Sequence, residues 1–142
     1  MVCFTLVVEP LAAWTVRGDD VRLSQVFYNV LDNAIKYTPR GGQITVRGRA
    51  VDDRVEIEIE DTGSGISPQH MPHVFKRFYQ ADPARADGGF GLGLSLAETI
   101  AQAHGASLDV RSEEGAGSTF KIVFRSVRDG RLLRDAAVVG QL

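Results

Sequence analysis

Val55-Glu56-Ile57-Glu58-Ile59-Glu60-Asp61-Thr62-Gly63-Ser64-Gly65 is the stretch on which the fold turns. Apolar and acidic residues alternate, so Val55, Ile57 and Ile59 share one face of a strand and Glu56, Glu58 and Glu60 share the other. A strand with one apolar and one charged face needs a second layer on its apolar side only. Asp61 has the parity of the isoleucines and therefore points toward the core side. A buried carboxylate must find donors or bear a heavy desolvation cost.

The neighbouring segments complete a sheet and its cover. Ile44 and Val46 alternate with polar residues, and Val51-Asp52-Asp53-Arg54 reads as a turn, so this strand and 55–61 form an antiparallel hairpin. Upstream, Leu23, Val26, Phe27, Val30 and Ala34 make an i, i+3, i+4, i+7, i+11 stripe, which predicts an amphipathic helix over 21–37. Asp19 and Asp20 are suitable N-caps, and Thr38-Pro39-Arg40-Gly41-Gly42 ends the helix. Val2–Val8 reads as a strand, Pro10–Trp14 as a connection, and Val16 as the start of another short strand.

Downstream, Ser67-Pro68 predicts the start of a short helix carrying Met71, Val74 and Phe75. Leu94–His104 is a second amphipathic helix closed by Gly105. Leu108 and Val110 mark one strand; Phe120, Ile122 and Phe124 mark another, with Gly115-Ala116-Gly117 as the turn between them. The sum is an α+β, two-layer sandwich: a mixed, mostly antiparallel sheet with helices on one face. Residues 1–125 form the domain, and 126–142 are a tail without a readable pattern.

With 142 residues, 44% apolar and 24% charged, the chain suits a single globular domain with its own core. A net charge of −2 and the lack of a basic stripe give no footprint for nucleic acid. The one cysteine, Cys3, has no internal partner and reads as a small core residue. Val2–Val8 is cut short by Glu9 and Pro10, and no segment is long enough to span a bilayer. The expectation is a soluble, cytoplasmic domain without direct membrane contact; an inner-membrane anchor elsewhere in a longer parent protein is compatible with it.

Three features carry chemistry. The only two asparagines, Asn29 and Asn33, lie four apart on the first helix, with Lys36 on the same face and Tyr37 one turn beyond. They read either as solvated polar residues or as a metal and phosphate site, because an amide oxygen is a hard ligand suited to Mg²⁺. Asp61 either caps its own glycine turn or accepts a hydrogen bond from an exocyclic amine such as that of adenine; Gly63 and Gly65 let backbone approach a ligand. Gly88-Gly89-Phe90-Gly91-Leu92-Gly93-Leu94 places four glycines at the mouth of a helix, where backbone N–H groups bind anions. It is neither a P-loop nor a dinucleotide fingerprint. Between the glycine segments, Phe75, Lys76, Arg77, Phe78 and Tyr79 belong to a mobile lid or to an excursion packed on the core.

Taken in order, these pieces resemble the catalytic ATP-binding domain of sensor histidine kinases, within the gyrase, Hsp90, histidine kinase and MutL ATPases. Gln25–Pro39 matches the N box, Asp61–Ile66 the first glycine box, Val74–Tyr79 the phenylalanine box and Gly89–Leu94 the second glycine box. His104-Gly105 and Gly117-Ser118-Thr119-Phe120 match the closing pattern. Each box is modest alone; four in order are specific.

The resemblance implies a Bergerat-type ATP-binding fold with ATP and Mg²⁺ as cofactors. It implies that Asn33 ligates the metal, that Asn29 supports metal and phosphates, and that Lys36 and Tyr37 contact the phosphate and sugar region. Asp61 and Ser118 read the base. Gly63, Gly65, Ile66, Phe78, Gly89, Gly91, Leu92, Gly93 and Leu94 shape the pocket. The catalytic set is Asn29, Lys36 and Arg77. Gln80 stands where members often carry an arginine facing the γ-phosphate, so either Arg77 or Arg85 supplies the charge or transfer is slower. His104 reads as structural; His70 and His73 read as lid-surface residues.

The implied activity is transfer of the γ-phosphate of Mg-ATP to a histidine on a separate dimerisation domain, with a response regulator receiver domain as the next acceptor. None of the three histidines lies in the expected His-Glu or His-Asp motif. A hydrolytic relative would carry a glutamate at the position of Asn29, and an amide cannot take a proton from water. A serine kinase of the anti-sigma type and a degenerate nucleotide-binding or docking module are the other readings.

Overall fold

The computed structural model describes residues 5–9, 14–80, 92–126 and 136–139. The first helix, α1 (Asp20–Tyr37), begins where the side chain of Asp19 accepts a hydrogen bond from the Arg22 N–H at 2.9 Å. Its buried residues are Leu23, Val26, Phe27, Val30 and Ala34, the stripe expected from the spacing. It ends at Thr38, whose hydroxyl donates to the Ala34 carbonyl at 2.6 Å, just before Pro39 forbids another turn.

Five strands form the main sheet: β1 (Thr5–Val8), β3 (Gln43–Val51), β4 (Arg54–Asp61), β5 (Ser107–Glu113) and β6 (Gly117–Arg125). Their order is β1-β3-β4-β6-β5, with β1 parallel to β3 and the other pairs antiparallel. This is the mixed, mostly antiparallel sheet expected. A separate pair joins β2 (Trp14–Arg17) to β7 (Ala136–Val139), so part of the tail returns to the N-terminal region. The β3–β4 turn places Asp52 at φ +55, a region aspartate tolerates better than most residues.

The core lies between this sheet and two helices, α1 and α2 (Gly93–Ala103). Val55, Ile57 and Ile59 are fully buried and face Phe124, Ile122 and Phe120 across β6. Phe27 meets Phe124 with ring centroids 6.1 Å apart. Each such side chain contributes about 1.5–3 kcal/mol by leaving water. On the other face, Arg47 bridges Glu58 and Glu60, Arg49 holds Glu56 at 2.7 Å, and Lys121 reaches Glu56 and Glu58.

The segment after Ser67 departs from expectation. Instead of a helix there is a chain of turns with a three-residue 3₁₀ helix, Met71–His73. Pro72 has no N–H to give Pro68, so α-helical pairing fails and i→i−3 bonds replace it: His73 to His70, then Lys76 to His73, both at 2.9 Å. The Ser67 hydroxyl does not cap; it is buried without a partner among the described residues. Phe75 of this segment sits edge-on to Phe120 at 6.4 Å, which anchors the excursion to the core.

Candidate functional site

The ends of β4 and β6, the last turns of α1 and the 64–80 excursion enclose a cavity of about 340 Å³. That lies within the range of small-ligand pockets. Asn33, Tyr37, Asp61, Gly65, Ile66, Leu94 and Ser118, all singled out in the sequence, line it together. They come from four separate parts of the chain, and the antiparallel register brings them into one place.

Asp61 is only 4% exposed. Its Oδ1 accepts the Gly63 N–H at 2.8 Å, the turn cap that the sequence allowed, and the Ser118 N–H also bonds to the carboxyl group. Burial pushes its pKa above the ordinary 3.8; the Gly63 and Ser118 N–H groups oppose that shift, and the negative charge of Glu60 adds to it. Capping the turn uses part of the carboxylate's capacity of about four lone-pair sites, so capping and ligand reading are compatible.

The register sets Ile44, Asp61, Ser118 and Ser112 in a row across β3, β4, β6 and β5. Ser112, which sequence reasoning missed, accepts the Ile66 N–H at 2.7 Å, donates to the Gly117 carbonyl at 2.9 Å and lies 2.9 Å from the Ser118 hydroxyl. Its parity with Leu108 and Val110 was the signal that could have found it. Ser64, Ser67, Gln69, His70, Val74, Tyr79, Gln80 and Glu114 complete the lining.

The glycines also allow close packing within the protein itself. A Cβ on Gly63 would lie 2.3 Å from the Tyr37 carbonyl oxygen, and one on Gly65, at φ +68, would lie 2.0 Å from the Glu113 carbonyl oxygen. Here the close approach is to the protein's own backbone. The loop is stitched between the end of α1 and the β5–β6 turn, by Ser64 N–H to Tyr37 at 3.3 Å and Gly115 N–H to Ser64 at 2.7 Å.

Several singled-out residues stand outside the cavity wall. Asn29 donates to the Gly93 carbonyl at 3.0 Å and accepts from Gln25 at 2.7 Å, tying α1 to the first residue of α2. Leu92 precedes α2 without a side-chain cap. Lys36 pairs with Asp32 at 2.9 Å along the helix. Arg77 is exposed, and Phe78 is 72% exposed at φ +61. Gly89, Gly91 and Arg85 lie outside the described residues.

The histidines divide. His70 is not a surface residue of the excursion: it is half-buried, lines the cavity and bonds through Nδ1 to the Tyr79 hydroxyl. The His73 ring centroid lies 5.2 Å from that of Tyr79. His104 has Nδ1 at 2.8 Å from the Ile100 carbonyl and Nε2 accepting the Asp19 N–H at 3.1 Å, which fixes the tautomer and joins the end of α2 to the start of α1. Among the described residues, no three His, Cys, Asp or Glu side chains could together hold a metal, and no helix is long and apolar enough to cross a membrane.

Residues 18–128 match the family model described as histidine kinase-, DNA gyrase B-, and HSP90-like ATPase. The sensor protein SrrB of Staphylococcus aureus is 44% identical over 111 residues, covering 77% of this chain and 19% of that protein. The phosphate regulon sensor protein PhoR of Pseudomonas aeruginosa is 39% identical over 110 residues, 76% of this chain and 25% of that protein. The chain thus spans a quarter or less of these curated relatives. Among solved structures, the mycobacterial sensor histidine kinase MprB is similar with a TM-score of 0.72 and 36% identity, covering 87% of this chain and 80% of that one. Full-length ShkA in complex with AMPPNP gives 0.71 and 31%, covering 87% of this chain and 26% of that one.

Proposed function

The chain belongs to the histidine kinase-, DNA gyrase B- and HSP90-like ATPases, and from that premise we propose that it binds Mg-ATP in the Asp61 cavity and presents the γ-phosphate to a histidine on a separate dimerisation domain. The observation that carries this reading is the buried acceptor Asp61 beside Ser118, at the base of a cavity whose wall includes Asn33 and Tyr37. ShkA, similar over most of this chain, is described in complex with an ATP analogue.

The residues suit that ligand. Asp61 and Ser118 take the exocyclic amine of adenine, with Ile66, Val74 and Leu94 as apolar walls. Tyr37 borders the sugar side. Asn33 supplies an amide oxygen for Mg²⁺, which takes its other ligands from phosphates and water. Asn29 and Lys36, one turn either side of Asn33, serve the phosphates once Lys36 exchanges Asp32 for them. The first turn of α2, which begins at Gly93, offers backbone N–H groups to the same charge. Arg77 is the candidate cation among the described residues. Bound there, Mg-ATP supplies the phosphoryl group, and the protein contributes position and charge neutralisation.

We read residues 1–125 as the ATP-binding unit and 126–142 as a tail whose strand β7 pairs with β2 of that unit. The partners are a histidine-bearing dimerisation domain and then a receiver domain, on the cytoplasmic side. A serine kinase of the same fold would modify a hydroxyl instead. The test is a parent chain incubated with labelled ATP and Mg²⁺. Acid-labile, base-stable phosphate on histidine supports the reading, and acid-stable phosphate or none contradicts it.

A further inference from the structure

We propose that Ser112, behind the pocket wall, is a positioning residue that sets which way the Ser118 hydroxyl points and so makes the base of the cavity an acceptor-only surface. The inference rests on the adenine-nucleotide reading and names a determinant of its selectivity.

A serine hydroxyl has one proton and two lone pairs. Ser112 Oγ has three neighbours: the Ile66 N–H at 2.7 Å, the Gly117 carbonyl at 2.9 Å and the Ser118 hydroxyl at 2.9 Å. The amide can only donate to it, and the carbonyl can only accept from it. The one Ser112 proton therefore goes to Gly117, and the second lone pair remains for Ser118. All three bonds form together only if Ser118 donates to Ser112.

That fixes the chemistry of Ser118, which is 7% exposed and lines the cavity. With its proton committed to Ser112, its lone pairs are what it offers a ligand. Asp61, directly opposite in the strand register, is an acceptor when ionised. Two acceptors side by side reward a ligand amine and repel a ligand carbonyl. A rotatable hydroxyl would serve either, because serine can donate or accept on demand. The same oxygen also holds the Ile66 N–H, so one side chain couples the orientation of Ser118 to the placement of the loop beyond Gly65.

The experiment compares ATP with ITP, in which a carbonyl replaces the amine, by calorimetry on the full chain with Mg²⁺. The wild type binds ATP about tenfold or more tightly than ITP. Ser112→Ala frees the Ser118 proton, and the ATP-to-ITP ratio falls several-fold, mainly through tighter relative binding of ITP. Ser112→Thr, which keeps the hydroxyl, retains the wild-type ratio. An unchanged ratio in Ser112→Ala overturns the proposal while leaving ATP binding intact. If wild type binds no ATP at all, the nucleotide reading itself falls. Should Ser112→Ala not fold, Ser118→Ala decides: loss of ATP affinity without equal loss of ITP affinity supports the proposal, and equal loss of both overturns it.

Discussion

Asp61 and Ser118 stand directly opposite each other on β4 and β6, and the Ser118 N–H bonds to the Asp61 carboxyl group. A charged side chain is thus held on the core side of the sheet by backbone donors. Burial still outweighs them and keeps the pKa above 3.8. The native state therefore holds the Asp61 proton more tightly than the unfolded chain does. Stability from this group is complete below the unfolded value and is lost as pH rises through the folded one.

The difference in unfolding free energy between wild type and Asp61→Asn should accordingly shift toward the wild type as pH is lowered through that window. Urea titrations at several acidic pH values measure it; a difference independent of pH contradicts the burial argument. ATP binding moves the other way, because the ionised carboxylate is the better acceptor. Affinity falls on acidification, and Asp61→Asn at neutral pH loses about tenfold or more.

Gly65 and Gly115 both have positive φ, but only Gly65 is crowded. Alanine at 115 meets nothing within 4 Å and costs about 1–2 kcal/mol of backbone strain. Alanine at 65 adds a clash with the Glu113 carbonyl oxygen, which lies 2.0 Å from the new Cβ. The expected further loss is about 1–3 kcal/mol. Chemical denaturation of the two variants should rank Gly65→Ala well below Gly115→Ala, and equal stabilities refute the packing role of the loop.

His104 bonds to Asp19 and Ile100 and lies outside the cavity lining. His104→Ala removes the hydrogen bond to the exposed Asp19 N–H, which water can replace, and should cost about 0.5–1.5 kcal/mol in unfolding free energy. Nucleotide affinity at a temperature where the variant is folded should stay within about twofold of wild type. A large loss of affinity in a well-folded variant would give this residue a role at the site that its position does not suggest.

Periodic segments were the most legible. The α1 stripe and the β4 alternation name their buried residues, because one face of each element must be covered, and the parity of Asp61 follows from the same rule. Ser112 shared that legibility through its parity with Leu108 and Val110, but a serine on an apolar face draws less notice than a carboxylate. The 66–80 excursion was not legible: Pro68 looks like a helix start until Pro72 removes the next donor. The pairing of β2 with β7 was hidden for another reason. Both strands are four residues long and far apart in the chain, so neither carries a pattern that names its partner. Side-chain bonds such as Asn29 to Gly93 depend on how two helices meet, which periodicity does not encode.

The most direct test of the central claim is calorimetric titration of the chain with ATP, with and without Mg²⁺, for wild type and Asn33→Ala. The account predicts that Mg²⁺ tightens ATP binding to the wild type about tenfold or more, and that Asn33→Ala removes this gain while remaining folded. Equal Mg²⁺ dependence in the two proteins, or no ATP binding by the wild type, would contradict it.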